Sequence, residues 1–254
     1  MKIFFASVLT TLLALCTALE DYCDPELCRN TGGKKHVACD NNGSFHERCS
    51  PDTRLVDLNF YIPLILKEHN ERRNKVAAGE LTGYASAKRM AVMQWDNELA
   101  ELATYNVKKC DCEYDGCRNV RRFKYTGQNI VSQGYTGKEN AFTTKQIVQD
   151  AIESWFEEYV AGSMTYMSNY PDDFDIYKEF SHFALLVTEA SNYVGCAASR
   201  YKEEQYNTVL ITCNYASAAL QNRPIYVEGP TASGCKSGKN DTYPALCSIA
   251  EVYK

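Results

Sequence analysis

The residues of this chain with the most distinctive chemistry are its twelve cysteines, which fall into clusters separated by long cysteine-free stretches. In order along the chain they are Cys16, Cys23, Cys28, Cys39, Cys49, Cys110, Cys112, Cys117, Cys196, Cys213, Cys235 and Cys247. Thiols at this density form disulfides in an oxidising compartment. Cysteines at both ends and in the middle predict crosslinks that tie the terminal segments to a central core. The residues alone leave the connectivity open.

The N-terminus has the pattern of a secretory signal peptide. Lys2 precedes an apolar run over residues 3–15, and Thr17 and Ala18 supply the small residues of a cleavage site. The run is too short to span a membrane, and no later segment reaches the ~20 apolar residues that a membrane helix needs. We therefore expect residues 1–18, including Cys16, to be removed and the mature chain to be secreted into the extracellular space.

The composition argues against nucleic acid and anionic membranes as partners. The chain has 27 basic and 32 acidic residues, and loss of Lys2 with the signal lowers its net charge from −5 to −6. The most basic stretch, Arg121, Arg122 and Lys124, is short, and we expect it to be solvated surface. Proteins that bind nucleic acid carry larger basic patches.

Helical and strand patterns are mixed through the middle of the chain. One helix is predicted from Pro63 to a stop at Gly79, a second begins at the N-cap Asp96, and a third begins near Thr144. Strands are predicted over residues 123–131, 182–187, 193–199 and 208–215, the last two as a hairpin through a polar loop at 202–205. Helices mixed with antiparallel strands, without regular βαβ alternation, indicate an α+β fold in layers.

The flanking segments differ from this middle part because they are rich in cysteine and poor in periodic apolar residues. We divide the chain into the signal peptide (1–18), a disulfide-rich N-terminal arm (19–56), a central domain (57–226) and a C-terminal extension (227–254). Asn42 and Asn240 begin glycosylation sequons in polar, loop-like surroundings, and each is a candidate site for an N-linked glycan.

Several motifs of the central domain occur in a familiar order. They are His69-Asn70-Glu71-Arg72-Arg73, Met93-Gln94-Trp95-Asp96-Asn97-Glu98-Leu99-Ala100, His182-Phe183 followed by Val194-Gly195-Cys196, and Ile211-Thr212-Cys213-Asn214-Tyr215. In these motifs and their order, the chain resembles the CAP superfamily, which comprises cysteine-rich secretory proteins, antigen 5 and plant pathogenesis-related class 1 proteins. The cysteine pattern of residues 22–49 and the tail from residue 224 resemble the insect antigen 5 group, the venom and salivary allergens, in its fly-type form. The resemblance implies a three-layer α-β-α sandwich with a disulfide-stapled arm.

The same resemblance implies five disulfides. They are Cys23 with Cys39, Cys28 with Cys117, Cys49 with Cys110, Cys196 with Cys213, and Cys235 with Cys247. Cys112 is then left over as a free cysteine. An odd thiol in a secreted chain is buried, capped or paired with another molecule, and exchange with neighbouring Cys110 is a further alternative.

The resemblance also points to a cleft in which many CAP domains carry two histidines and two acidic residues that can hold a divalent metal. Tyr114, Gln128, Glu158 and His182 stand at these positions here. Gln128 is a neutral, poor ligand, and Tyr114 keeps its proton near neutral pH because its ordinary pKa is ~10. We therefore expect no bound metal, no cofactor and no catalytic residue, with Glu158 and His182 as a buried hydrogen-bonded pair that organises the cleft.

The remaining histidines and serines do not form a catalytic triad in the sequence. His69 is expected to make structural hydrogen bonds from the flank of a helix, whereas His36 and His46 belong to the arm and are expected at the surface. Ser181 and Ser191 lack a second histidine nearby in the sequence to activate them.

The resemblance implies a secreted, non-catalytic protein of the antigen 5 type. It would be a salivary or venom-type allergen, a monomer, whose partner is a host or self protein, an antibody, or a hydrophobic, lipid-like small molecule. The alternative is a metal-dependent enzyme, a hydrolase or oxidoreductase that uses zinc or copper in the cleft. Channel blockade goes with an extra C-terminal cysteine-rich domain, and only Cys235 and Cys247 lie beyond the core here.

Overall fold

The structure is a computed structural model that describes residues 20–253, so the signal peptide proposed for residues 1–18 lies outside the described residues. The helices are α1 (Ile62–Ala77), α2 (Asn97–Val107), α3 (Thr144–Glu157), α4 (Met164–Ser168), α5 (Phe174–Tyr177) and α6 (Ser181–Leu186). The strands are β1 (Arg54–Val56), β2 (Gln94–Trp95), β3 (Gly127–Tyr135), β4 (Tyr193–Glu203) and β5 (Tyr206–Tyr215).

A sheet separates two helical layers, which confirms the α+β class and the α-β-α sandwich. The strands run in the order β1-β4-β5-β3, and the short β2 pairs in parallel with the start of β4. On one face α2 packs against the sheet, where Ala103 lies in a cluster with Leu210. On the other face α1, α3 and α6 share the larger core, to which Ile65, Trp155 and Ile211 belong.

The predicted starts of the three long helices are confirmed because local signals set them. Pro63 lies in the first turn of α1, and Gly79, with φ of 76°, follows its end. Asp96 caps α2 by accepting a backbone N–H of its first turn at 2.9 Å. The first residue of α3 follows a capping box made by Thr143 and Gln146.

The strand predictions are confirmed in part. The hairpin is present, since β4 and β5 pair in antiparallel fashion around a tight turn in which Glu204 has φ of 54°. The strand predicted over residues 123–131 begins later, as β3, because Val120 and Phe123 instead pair with each other in an isolated bridge.

The strand predicted over residues 182–187 is wrong, because this segment forms α6. A short buried apolar run does not by itself distinguish a strand from a helix. Contacts at both ends fix the helix. The Glu158 carboxylate accepts the N–H of His182 at 2.9 Å and that of the next residue at 3.3 Å. The buried Arg73 guanidinium donates to the carbonyl oxygen of Leu186 at 2.7 Å.

Five disulfides crosslink the chain, and they are the pairs that the resemblance implies. Cys28–Cys117 and Cys49–Cys110 tie the arm to the central domain across sequence separations of 89 and 61 residues. Among residues 20–253, Cys112 alone lies outside a disulfide, and it is exposed. Because this thiol is exposed, burial is excluded as its state, and capping or pairing with another molecule remain as alternatives.

The N-terminal arm lies against the domain. Its last residues form β1, which pairs in antiparallel fashion with β4 and becomes an edge of the sheet. The expectation that His36 is at the surface is wrong, since it is 3% exposed. Its Nε2 lies 2.9 Å from the carbonyl oxygen of Asn119, and its ring stacks on Tyr22. His46 is exposed, as expected.

The C-terminal extension is anchored by a buried carboxylate. Glu251 is 3% exposed and accepts hydrogen bonds from Arg89 Nε at 2.6 Å and from the backbone N–H groups of Lys236 at 3.1 Å and Ser237 at 2.7 Å. Burial acts to raise the pKa of Glu251, but these hydrogen bonds outweigh it and hold the pKa at about 2. The carboxylate is therefore ionised except in strong acid.

The substitution Glu251→Gln should lower stability by an amount that depends on pH. The folded pKa lies below the ordinary value of ~4.3, so the charge stabilises the fold above about pH 4.5, and this contribution is lost as the pH falls towards about 2. We expect a deficit of roughly 2 kcal/mol at neutral pH that shrinks steadily through this window. Unfolding of both proteins at about pH 7, 4 and 3 measures it. An equal deficit at all three values would contradict the prediction.

Candidate functional site

A cleft of about 470 Å³ opens beside α6. Tyr114, Gln128 and His182, three of the four positions to which the resemblance points, line it, together with Tyr170 and Phe174 of an aromatic segment. This volume is typical of small-molecule sites. The fourth position, Glu158, follows the end of α3 and contacts His182.

Tyr114, His182 and Glu158 form one hydrogen-bonded chain. The Tyr114 hydroxyl lies 2.8 Å from Nε2 of His182, and Nδ1 of His182 lies 2.5 Å from Oε1 of Glu158. The buried Trp155 ring stacks on the imidazole, with 6.3 Å between the ring centroids. Both imidazole nitrogens therefore have a partner, and the orientation of the ring is fixed from three directions.

The protonation of Tyr114 sets the direction in which hydrogen bonds are donated along Tyr114, His182 and Glu158. The residue is 54% exposed, but its hydroxyl end is desolvated in the cleft, and this burial, followed by the neighbouring Cys112 and Glu158, raises its pKa to about 12. The phenol is therefore protonated at neutral pH and donates its hydrogen bond to Nε2 of His182. With Nε2 as the acceptor, Nδ1 of His182 carries a proton and donates it to Oε1 of Glu158.

Gln128 is engaged away from His182. It is 5% exposed, and its Oε1 accepts the backbone N–H of Asp115 at 2.9 Å. Its Nε2 donates to Oδ2 of Asp115 at 2.7 Å and to Oδ1 of Asn214 at 2.9 Å. Both amide hydrogens are thus used within the protein. The structure brings three of the four positions into one chain and places Gln128 in a separate network.

These four side chains do not fit a four-ligand zinc or copper site. Imidazole nitrogens and carboxylates suit these metals, but here both His182 nitrogens are engaged and Tyr114 carries its proton. Ser181 lines the cleft, yet the nitrogen that would serve it as a base, Nε2 of His182, is held by Tyr114. These hydrogen bonds hold the His182 ring in one orientation and leave the Ser181 hydroxyl without a base to activate it.

The other candidates lie in the core, away from the cleft. His69 is fully buried, with Nδ1 2.7 Å from the carbonyl oxygen of Ile65 and Nε2 3.0 Å from the Tyr215 hydroxyl, so its structural role is confirmed. Burial lowers the pKa of His69 to about 4, and the ring is neutral at physiological pH. Ser191 is also fully buried.

Two features of the cleft escaped the sequence analysis. Arg118 lines it and donates to the carbonyl oxygens of Asp115 at 2.6 Å and Thr126 at 3.1 Å. An aromatic wall, defined here as Tyr170, Phe174 and Tyr177, lines it as well. The spacing of these rings over residues 170–177 was a usable signal. Arg118 had none, because a single arginine in a loop is usually solvated.

The comparisons with known proteins decide the family. Residues 66–215, more than half of the chain, match the family model described as "CAP: Cysteine-rich secretory protein family". The chain belongs to this family. The predicted resemblance is confirmed.

The curated relatives of this CAP protein include proteins named as insect allergens. "Venom allergen-1" of Aedes aegypti is 32% identical over 96% of this chain and 93% of its own length. "Antigen 5 like allergen Cul n 1" of Culicoides nubeculosus is 35% identical over 73% of this chain and 86% of its own. "Tabinhibitin 2" of Tabanus yao is 32% identical over 91% and 88%, respectively. The antigen 5-type resemblance is therefore confirmed too.

Solved structures share the fold of this CAP protein. BmVAL-1 superposes with a TM-score of 0.61 at 19% identity, covering 78% of this chain and 97% of that one. NaASP2, solved with Zn²⁺, has a TM-score of 0.59 at 21% identity, covering 79% and 100%. At such identities the likeness shows the fold alone. Within residues 20–253, none of the helices combines the length and apolar character needed to cross a membrane.

Proposed function

We propose that this CAP protein is a secreted binding protein that works without catalysis. It would be a salivary or venom-type allergen whose target is a host or self protein or a hydrophobic small molecule. The observation that carries the proposal is the closed chain at His182, in which Tyr114 and Glu158 occupy both imidazole nitrogens. A general base or a metal ligand needs one of those nitrogens free. The names of its relatives, venom allergen and antigen 5, support the same class.

The covalent frame supports an extracellular role. Two of the five disulfides, Cys28–Cys117 and Cys49–Cys110, fix the arm to the sandwich, and loops on a rigid frame commonly carry recognition. Within this proposal, residues 19–56, 57–226 and 227–254 remain the arm, CAP domain and extension, and Asn42 and Asn240 carry glycans. Asn42 is exposed and lies in a turn, in which its Oδ1 accepts a hydrogen bond from the Ser44 N–H at 2.9 Å.

Zinc binding tests the proposal directly. Wild-type protein should bind zinc or copper no more tightly than nonspecific sites do, because Tyr114 offers a protonated phenol. The variant Tyr114→His puts a second imidazole beside Nε2 of His182 and should raise zinc affinity at least ~10-fold. Titration calorimetry measures both proteins, and native mass spectrometry of protein from its source tissue reports any metal or lipid already bound. The control is Tyr177→His, which adds a histidine elsewhere in the cleft.

A fuller ligand set needs a third change. Gln128→Glu alone would place a carboxylate where the amide nitrogen now lies 2.7 Å from Asp115, and the two like charges would repel. Asp115→Asn should therefore accompany it. Stoichiometric zinc on the wild-type protein at micromolar affinity, lost in His182→Ala, would overturn the non-catalytic proposal and favour the metal-dependent enzyme.

A further inference from the structure

The cleft differs in charge from the molecule as a whole. The chain has a net charge of −5, yet Arg118 and Lys178 line the cleft and, among the described residues, no aspartate or glutamate does. An acidic protein thus presents a cationic lining in this cleft.

The positive charge of Arg118 is only partly neutralised. Its nearest carboxylate, Asp115, lies 3.8 Å from Nε and is also contacted by Lys109 at 3.3 Å. Two cations therefore share one buried anion. Because the terminal nitrogens of Arg118 are held by carbonyl oxygens, this guanidinium supplies a fixed positive potential rather than a mobile donor.

Lys178 supplies the mobile donor. Its ammonium lies 2.8 Å from Asp175, whose side chain is 82% exposed, as an i,i+3 pair on the surface. Exposed pairs of this kind contribute little, so the ammonium can exchange Asp175 for an anion in the cleft at small cost. The lysine side chain itself is 42% exposed and reaches the cleft from the end of α5.

The aromatic wall supplies the apolar part of the site. Tyr170 and Tyr177 have ring centroids 5.6 Å apart, and Phe174 packs edge-on against Tyr177 at 5.4 Å. Phe174 remains 63% exposed, so a large part of its surface is available to a ligand. Rings in such arrangements favour a further aromatic ring over an alkyl chain, because stacked and edge-to-face geometries add to the burial of area.

We propose that this cleft binds a flat aromatic molecule with one negative charge, of the aromatic carboxylate class. The ring would lie against the aromatic wall, and the carboxylate would pair with Lys178 in the positive potential of Arg118. The inference rests on the proposed binding function and names the class of ligand for its cleft.

The test uses two fluorescent probes that differ by one sulfonate group and therefore in charge. The anionic probe is 8-anilinonaphthalene-1-sulfonate, and the neutral one is N-phenyl-1-naphthylamine, which lacks the sulfonate. Lys178→Glu should weaken binding of the anionic probe about 5- to 10-fold and change that of the neutral probe less than about 2-fold. Lys145→Glu, an exposed lysine on α3 outside the cleft, changes the net charge equally and should affect neither probe.

A second pair of variants tests the aromatic wall. Phe174→Ala should weaken both probes several-fold, whereas Phe60→Ala, at 87% exposure on another surface, should weaken neither. In competition, 1-naphthoate should displace the anionic probe at lower concentration than decanoate or 1-naphthylmethylamine. Equal effects of Lys178→Glu and Lys145→Glu, no probe binding by the wild-type protein, or stronger displacement by decanoate would each overturn the proposal. These results do not depend on metal or turnover, so they are separable from failure of the proposed function.

Discussion

Gly195→Ala is expected to destabilise the fold by more than about 3 kcal/mol, or to prevent folding. A Cβ at this position would lie 2.5 Å from the carbonyl oxygen of Asp96 and 2.7 Å from the carbonyl carbon of Leu99, and closer still to the nitrogen of Ala100. All three atoms are backbone at the start of α2, so no side chain can rotate away. The added methyl must push α2 off the sheet.

Gly134→Ala is the matched control for this prediction. Gly134 is also in a strand, β3, and a Cβ there would meet nothing closer than the Tyr206 side chain at 3.7 Å. We expect its effect to stay below about 1 kcal/mol. Chemical denaturation of both variants measures the difference. Equal stabilities of Gly195→Ala and Gly134→Ala would mean that α2 does not approach β4 as closely as the structure has it.

Removal of the Cys28–Cys117 disulfide, by serine at both positions, is expected to cost about 4 kcal/mol. The bond closes a sequence separation of 89 residues, and the stabilisation from restricting the unfolded chain grows with loop length. Both cysteines are buried in a small cluster with Leu27, so two hydroxyl groups would also replace buried sulfur. The arm should then detach from the domain and expose His36.

Cys112→Ser provides the control, since that thiol is exposed and outside any disulfide. It should change the free energy of unfolding by less than about 0.5 kcal/mol. Denaturation under non-reducing conditions measures both variants, and limited proteolysis reports whether the arm has been released. A double serine variant as stable as Cys112→Ser would contradict the role given to the arm crosslink.

The site was accessible from the sequence only through resemblance to the CAP family. That resemblance pointed to Tyr114, Gln128, Glu158 and His182, and the structure places three of them in one hydrogen-bonded chain. It did not reveal the hydrogen bonds of Gln128, because their partner Asp115 is not part of the motif. The cationic lining was equally hidden, because Arg118 and Lys178 meet only when distant loops fold onto the same cleft.

What the sequence by itself determined are the features set by neighbouring residues. Asp96 caps the first turn of α2, and Pro63 and Gly79 mark the start and the end of α1. The polar loop between two apolar runs predicts the β4–β5 hairpin. In each of these cases the interacting groups are a few residues apart in the chain. Bringing them together costs little conformational entropy, so the local pattern is sufficient to predict the element.

Only the tertiary structure decided α6 and the burial of His36. The apolar run after His182 suits a strand or a buried helix. The helix results because Glu158 accepts its first N–H groups and Arg73 donates to the carbonyl oxygen of its last residue, Leu186. His36 is buried because the arm is drawn against the domain, where the backbone carbonyl oxygen of Asn119 accepts a hydrogen bond from its Nε2. These partners are far apart in the chain. The residue pattern of one segment carries no information about the contacts that the segment makes with distant groups after folding.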